Sequence, residues 1–349
     1  MTPPAKDRRL SVAVVQGGPA SEAEVSRASA ASVARALEHA GHRVVRLELD
    51  VYLADSLRTG GFDVVFPVAH GAVGEDGSLQ GLFEVLDLPY VGSGVLASAL
   101  AMNKRTAKVL FAAAGLPVAR GIAACRGASR AKDEAERAIR ELGEKVVVKP
   151  CSNGSAIGVA RFASGASAAE IAEAIDAAWE VDDTVLVEVF APGREVTCGV
   201  LELRDPVWLP PTEIRASKDA FYTYQARYAP GRSEHLCPAP LGERLTRRVQ
   251  EIAVAAHRAL GCRDLSRVDF VVPGAPGGEE GYARRGEEAE GAEPTLLEVN
   301  TMPGFTETSL YPEAAAIAGV PMPELCSRLV RAAFERGPTR RNVALPLPK

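Results

Sequence analysis

The sequence predicts an α/β protein of two or three lobes, the first built on an open parallel sheet. Its 349 residues are enough for that many compact lobes. Strand-like and helix-like patterns alternate from Leu10 to Val68, the order that produces a parallel sheet. Farther on, two strand-sized apolar runs, Ser266–Val272 and Thr295–Val299, flank a Gly/Glu/Arg-rich stretch at Gly274–Pro294 that reads as an extended hairpin tip.

Leu10–Gln16 is a short apolar run that stops at Gly17–Gly18, a buried strand entering a tight turn. Val25, Ala28, Val33 and Leu37 then follow helical spacing, and Gly41 suits the C′ position. His42–Leu47 and Asp63–Val68 are the next strands. Ligands of such sheets sit beyond the strand C-termini, which singles out the loops Gly17–Ser26 and His70–Gly77. A central lobe, about Asn103–Val189, opens with a helix over Lys104–Ala114, stopped by Gly115–Leu116–Pro117. Ala131–Leu142 is an amphipathic helix. Lys145–Lys149 is a Val-rich strand leading into the Gly/Ser loop Pro150–Gly158, whose N–H groups can approach phosphate oxygens. On spacing alone a plain strand-to-strand turn is the stronger reading of that loop. Val185–Val189 and Val196–Leu203 are strands, Ser217–Cys237 a long loop of the length lids use, Leu241–Leu260 and Glu324–Phe334 helices, and Arg336–Lys349 a loose tail.

The stretch Glu298–Pro312 organises the rest. Side chains alternate along a strand, so Glu298 and Asn300 share a face about 7 Å apart, as do Arg267 and Asp269. Val268, Phe270, Leu297 and Val299 are the alternates expected to face the core. If the two strands pair, one polar face carries Arg267, Asp269, Glu298 and Asn300. Two carboxylates and an amide suit Mg²⁺ held together with substrate phosphates; a buried ion pair of Arg267 with Asp269 or Glu298 is the competing reading.

Composition limits the function. With 47% apolar and 24% charged residues and a net charge of −5, the chain is an ordinary globular protein without a broad nucleic-acid surface. Six scattered Cys show no zinc spacing and read as reduced cytosolic thiols. No apolar run approaches the ~20 residues of a membrane span, and Met1–Arg9 precedes no signal-length segment, so a cytoplasmic enzyme that binds no membrane is expected.

Glu298–Pro312 resembles the ENTxPGFTxxSLYP signature of the D-alanine–D-alanine ligases, in the ATP-grasp superfamily. Gly17–Ser26 is similar to GGxSxExxVS, with Ala20 at the family's Ser position. His70–Gly81 is similar to HGxxGEDGxxQG, and Gly92–Ser93–Gly94 and Met102–Asn103–Lys104 also match. The resemblance implies a parallel-sheet substrate domain over 1–102, ATP-grasp lobes over 103–189 and 190–337, and a tail over 338–349. It implies ATP and Mg²⁺ (two ions, with Mn²⁺ as a substitute), and D-alanine as substrate; a homodimer is the expected assembly.

Roles follow residue by residue. Glu22 would bind the first ammonium, with His70 beside it. Lys104, Lys149 and Arg227 would reach phosphates, Glu188 the adenine amino group and Glu195 the ribose. Asp269, Glu298 and Asn300 would hold the metal. Ser155 and Tyr228 would position the attacking amine, Arg267 and the Gly304 N–H the tetrahedral oxyanion, and Ser309 with the Leu310 N–H the second carboxylate. Tyr228 favours an amine over a hydroxy acid as second substrate. Arg227 replaces the family's Lys and Ala156 its second Ser. The implied reaction joins two D-alanines through an acyl phosphate for peptidoglycan. A paralogue making another dipeptide, or a nucleotide-binding relative without turnover, are the other readings.

Overall fold

A computed structural model describes residues 8–20, 22–154, 156–216, 233–274 and 291–338. Strands β1 (Ser11–Gln16), β2 (Arg43–Glu48) and β3 (Val64–Pro67) form a parallel sheet in the order β2-β1-β3, connected by helices α1 (Ala23–His39) and α2 (Leu53–Thr59). Val12–Val15 are fully buried because β1 is the central strand and both its faces are covered, which is why it reads as an unbroken apolar run. Helices α3 (Ser78–Val85) and α4 (Val95–Met102) follow. At eight residues each, they carry too few turns for sequence periodicity to reveal.

Helix α5 (Lys104–Ala113) starts where the Asn103 side chain accepts a hydrogen bond from Thr106 N at 2.9 Å. Beyond it, β4 (Gly121–Cys125), β5 (Val146–Pro150), β6 (Ala160–Arg161) and β7 (Thr184–Val189) make an antiparallel sheet in the order β4-β7-β5-β6. Helices α6 (Ala131–Leu142) and α7 (Ala168–Trp179) cover one face, enclosing a core that includes Ile122, Val148, Ile171, Ile175 and Val187.

The last sheet runs β11 (Ser233–Leu236), β10 (Thr212–Ala216), β8 (Arg194–Glu202), β12 (Leu265–Val272), β13 (Thr295–Asn300), with β9 (Pro206–Trp208) also on β8. Helix α8 (Glu243–Leu260) packs behind it; α9 (Leu310–Ile317) and α10 (Met322–Arg336) close the chain. Within the expected loop Ser217–Cys237, residues Ser233–Leu236 are instead a strand, created by pairing with β10 rather than by local pattern. Residues 217–232 of that loop, most of the insertion and the tail lie outside the described residues.

The first and last sheets share one core. Val14, Val33, Leu37 and Phe66 pack with Leu265, Phe305, Tyr311, Leu325 and Leu329, and the Phe66 and Phe305 rings meet edge to face at 5.3 Å. The middle sheet has a core of its own. His42 sits on the shared seam. Its Nδ1 accepts from Leu10 N at 3.3 Å and its Nε2 lies 2.9 Å from Ser327 Oγ on α10, a pairing that needs the neutral ring. Burial, then Arg331, pushes its pKa down. A depressed imidazole contributes stability that is complete above its ordinary pKa of about 6.5 and lost as pH falls below it. The urea midpoint of the wild type is therefore expected to drop between pH 7 and 5.5 more steeply than that of His42→Gln; parallel slopes would refute this assignment.

Candidate active site

A cavity of about 630 Å³ opens between the middle and last sheets, beneath loops of the first. Its floor is the β12–β13 pair. Asp269 lies opposite Glu298 and Arg267 opposite Asn300, and all four line the cavity. The register shifts between Asp269 and Phe270, so Phe270 pairs with Leu296 and Leu297 is the extra residue. This corrects one expectation. Leu296 is the buried core residue, and Leu297 turns to the cavity beside Glu298. A bulge of this kind re-aims side chains at a functional edge, and strict alternation cannot anticipate it.

Protein cations stand on both carboxylates. Arg267 donates from Nε and Nη2 to the two oxygens of Asp269 at 2.8 and 2.7 Å, and Thr197 Oγ1 donates to Asp269 at 2.7 Å. Lys104 Nζ is 3.1 Å from Glu298 and donates to Asn153 O at 2.7 Å. The ion pair that competes with metal binding is therefore present, on the same face as the other donors.

The first-lobe loops supply Glu22 and His70, both buried. A methyl group added at Gly71 would lie 3.2 Å from Glu22 Oε2 and one at Gly154 3.6 Å, so turns from two lobes enclose this carboxylate. His70 Nδ1 is 3.8 Å from Glu75, which also accepts from Gly71 N at 2.7 Å. Burial opposes charge on His70, yet Glu75 and then Glu22 raise its pKa above the ordinary value. Its Nε2 is buried without a hydrogen-bond partner, an unspent polar atom in the cavity wall. Asp76 stiffens the loop by accepting from Val73 N at 2.8 Å and Ser78 N at 2.9 Å.

The middle sheet forms the opposite wall. Glu188 is almost wholly buried; Lys149 Nζ lies 2.6 Å from one oxygen and Lys108 Nζ pairs with the other. Burial works against that charge, but Lys149 and then Lys108 hold the carboxyl below its ordinary value. Glu195 reaches across to Arg161 Nη1 at 3.5 Å, and Arg161 stacks over the Phe190 ring at 5.2 Å.

At the far end, the loop after β13 is pinned from three sides. Met302 N donates to Asn300 Oδ1 at 2.8 Å, Phe305 N to Ser29 Oγ on α1 at 3.2 Å, and Thr306 N to Ser309 Oγ at 3.0 Å. A methyl at Gly304 would come within 3.0 Å of Ser309 Oγ. Ser309 precedes α9, so its hydroxyl and the first N–H groups of that helix face the cavity end together, a site suited to an anion.

Thirteen expected residues thus line one cavity: Glu22, His70, Lys104, Lys149, Glu188, Glu195, Arg267, Asp269, Glu298, Asn300, Gly304, Ser309 and Leu310. Ser155, Arg227 and Tyr228 lie outside the described residues. Sequence reasoning missed Lys108, Arg161 and Phe190. Lys108 had a signal, its place four residues after Lys104 on one helix face. The other two had none, since their contact joins elements distant in the chain.

The donors offered to a metal are all hard oxygens. Among the described residues no group of three or more His, Cys, Asp or Glu gathers to cage an ion. Asp269, Glu298 and the Asn300 amide instead form an open-sided set, as Mg²⁺ takes when phosphate oxygens and waters complete its shell. The residues fit that ion.

Residues 110–331 match the family profile "D-ala D-ala ligase C-terminus" and residues 51–93 the profile "D-ala D-ala ligase N-terminus". The D-alanine–D-alanine ligase of Desulforamulus reducens is 40% identical over 331 residues, 94% of this chain and 99% of that protein. That of Xanthobacter autotrophicus is 43% identical over 326 residues, covering 93% and 99%. The solved Coxiella burnetii D-alanine–D-alanine ligase superposes with a TM-score of 0.75 at 26% identity over 94% of each chain. The Bacillus anthracis enzyme complexed with ATP superposes with a TM-score of 0.73 at 25% identity, covering 93% of this chain and 98% of that one.

Proposed function

Because the chain belongs to the D-alanine–D-alanine ligase family, we propose that this cavity joins two D-alanines into D-alanyl-D-alanine, with cleavage of ATP to ADP and phosphate. It is an ATP-dependent carboxylate–amine ligase with an ATP-grasp fold, and its dipeptide serves peptidoglycan synthesis. The observation that carries the residue assignments is the convergence of Glu22, Lys149, Arg267, Glu298 and Ser309 on one cavity.

A carboxylate is a poor electrophile toward an amine, and ATP supplies the activation. The first D-alanine's ammonium rests on Glu22, with His70 Nε2 beside it. Its carboxylate oxygen bonds to the γ-phosphorus as the bond to the ADP oxygen breaks. Lys104 and Lys149 offset the repulsion between these anions. Asp269, Glu298 and Asn300 would hold Mg²⁺, two ions in this reading, whose chemistry is to neutralise phosphate charge. The second D-alanine's carboxylate takes the Ser309 hydroxyl and the N-terminus of α9. Its amine, having lost a proton, attacks the acyl carbon; Arg267 and the Gly304 N–H receive the oxyanion, and phosphate leaves. Ser155 and Tyr228 guide the amine, and Arg227 adds a phosphate contact. Glu188 and Glu195 face the nucleoside.

The same reading includes a first lobe over 1–102, nucleotide-binding lobes over 103–189 and 190–337, a cytoplasmic location and a homodimer. No helix among the described residues is long and apolar enough to cross a membrane. The test is incubation with D-alanine, ATP and Mg²⁺. ADP release that depends on D-alanine and matches dipeptide mole for mole by mass spectrometry is expected; ADP release without dipeptide would overturn the reading.

A further inference from the structure

Helix α5 sends two ammonium groups from one face, because Lys104 and Lys108 are four residues apart. They go to opposite walls. Lys104 Nζ meets Glu298 of the last sheet at 3.1 Å, while Lys108 Nζ pairs with Glu188 of the middle sheet and donates to Ala119 O at 2.5 Å. The second oxygen of Glu188 holds Lys149 Nζ at 2.6 Å. Lys149 and Glu188 line the cavity, whereas Lys108 stands behind them, outside its lining.

The charge count gives this arrangement a consequence. One carboxylate shared by two ammonium groups leaves a net charge of +1, and the member exposed to the cavity is Lys149. If Lys149 were the sole partner of Glu188, turning it toward a ligand would strand a buried anion, a change proteins resist strongly. With Lys108 in place, Glu188 keeps a partner when Lys149 leaves. We propose that Lys108 is a positioning residue for the phosphate end of ATP: it holds the charge of Glu188 so that Lys149 is released to the nucleotide. This rests on the reading of Lys149 as a phosphate ligand.

The experiment compares ATP, ADP, AMP and adenosine as competitors of a fluorescent ATP analogue at fixed Mg²⁺. Lys108→Met is expected to weaken ATP about tenfold or more while changing adenosine less than about twofold, because only the phosphate contact is lost. Lys108→Arg restores ATP binding. In Lys108→Met/Glu188→Gln the buried carboxylate no longer captures Lys149, so the double variant binds ATP as Glu188→Gln does. That last comparison carries the test even if Lys108→Met alone fails to fold. Equal losses for ATP and adenosine in Lys108→Met, unchanged ATP affinity, or a further phosphate-dependent loss from Glu188→Gln to the double variant would each overturn the proposal. Lys149→Met separates the two readings. If it binds ATP as the wild type does, the phosphate assignment of Lys149 itself fails; if it is impaired and Lys108→Met is not, only the role of Lys108 falls.

Discussion

Glu298→Ala is expected to lower kcat for dipeptide synthesis by roughly 10³-fold while leaving the protein folded. Glu298 stands opposite Asp269 across β12 and β13 and contributes one of two carboxylates to the oxygen set facing the cavity. Its removal takes away one of the carboxylates that would hold Mg²⁺ against the phosphates of ATP, and leaves Lys104 without the carboxylate 3.1 Å away. Glu298→Gln keeps the shape and one oxygen donor but not the charge, so its activity should also fall steeply. The stability cost is small, about 1 kcal/mol, because the side chain is partly exposed and the pair is solvent-screened. Steady-state ADP release alongside thermal unfolding checks both halves. Turnover within about twofold of wild type would remove Glu298 from the metal set.

Arg267→Met should cost about 10²–10³-fold in kcat, the typical loss when one preorganised oxyanion donor is deleted. The guanidinium is held in place by two parallel bonds to Asp269 at 2.8 and 2.7 Å, so its plane is fixed relative to the strand pair. Without it, Asp269 retains the Thr197 hydroxyl at 2.7 Å but loses both guanidinium bonds. Arg267→Lys preserves the charge but not the planar fork, and is expected to recover only part of the activity, to about a tenth of wild type. The diagnostic is the split between constants: kcat falls while the KM for ATP moves little, since the oxyanion exists only during chemistry. An Arg267→Lys enzyme indistinguishable from wild type would show that the fork geometry is unimportant.

Both variants act on residues whose shared face is legible in the sequence. Arg267 and Asp269, and Glu298 and Asn300, are two apart on strands, and that period belongs to the backbone. The central strand Val12–Val15, the capped helix at Lys104 and the glycine turns are legible for the same reason: their signals span a few residues. Leu297 breaks the expected alternation because β13 carries one extra residue, and nothing within that strand announces it. The strand Ser233–Leu236 hides inside a loop-like stretch because a four-residue edge strand exists only through its partner, β10.

The family signature and the spacing of its residues are properties of the chain alone, and they are enough to name the chemistry and to pick out many of the groups that line the cavity. How those groups meet was decided by packing. Glu22 lies between Gly71 and Gly154, and Lys108 and Lys149 flank Glu188. The first and last sheets share one core while the middle sheet keeps another. These contacts join segments tens to hundreds of residues apart. Local periodicity sets which way a side chain leaves its own element, but what it meets there depends on burying apolar faces of elements that do not adjoin in sequence.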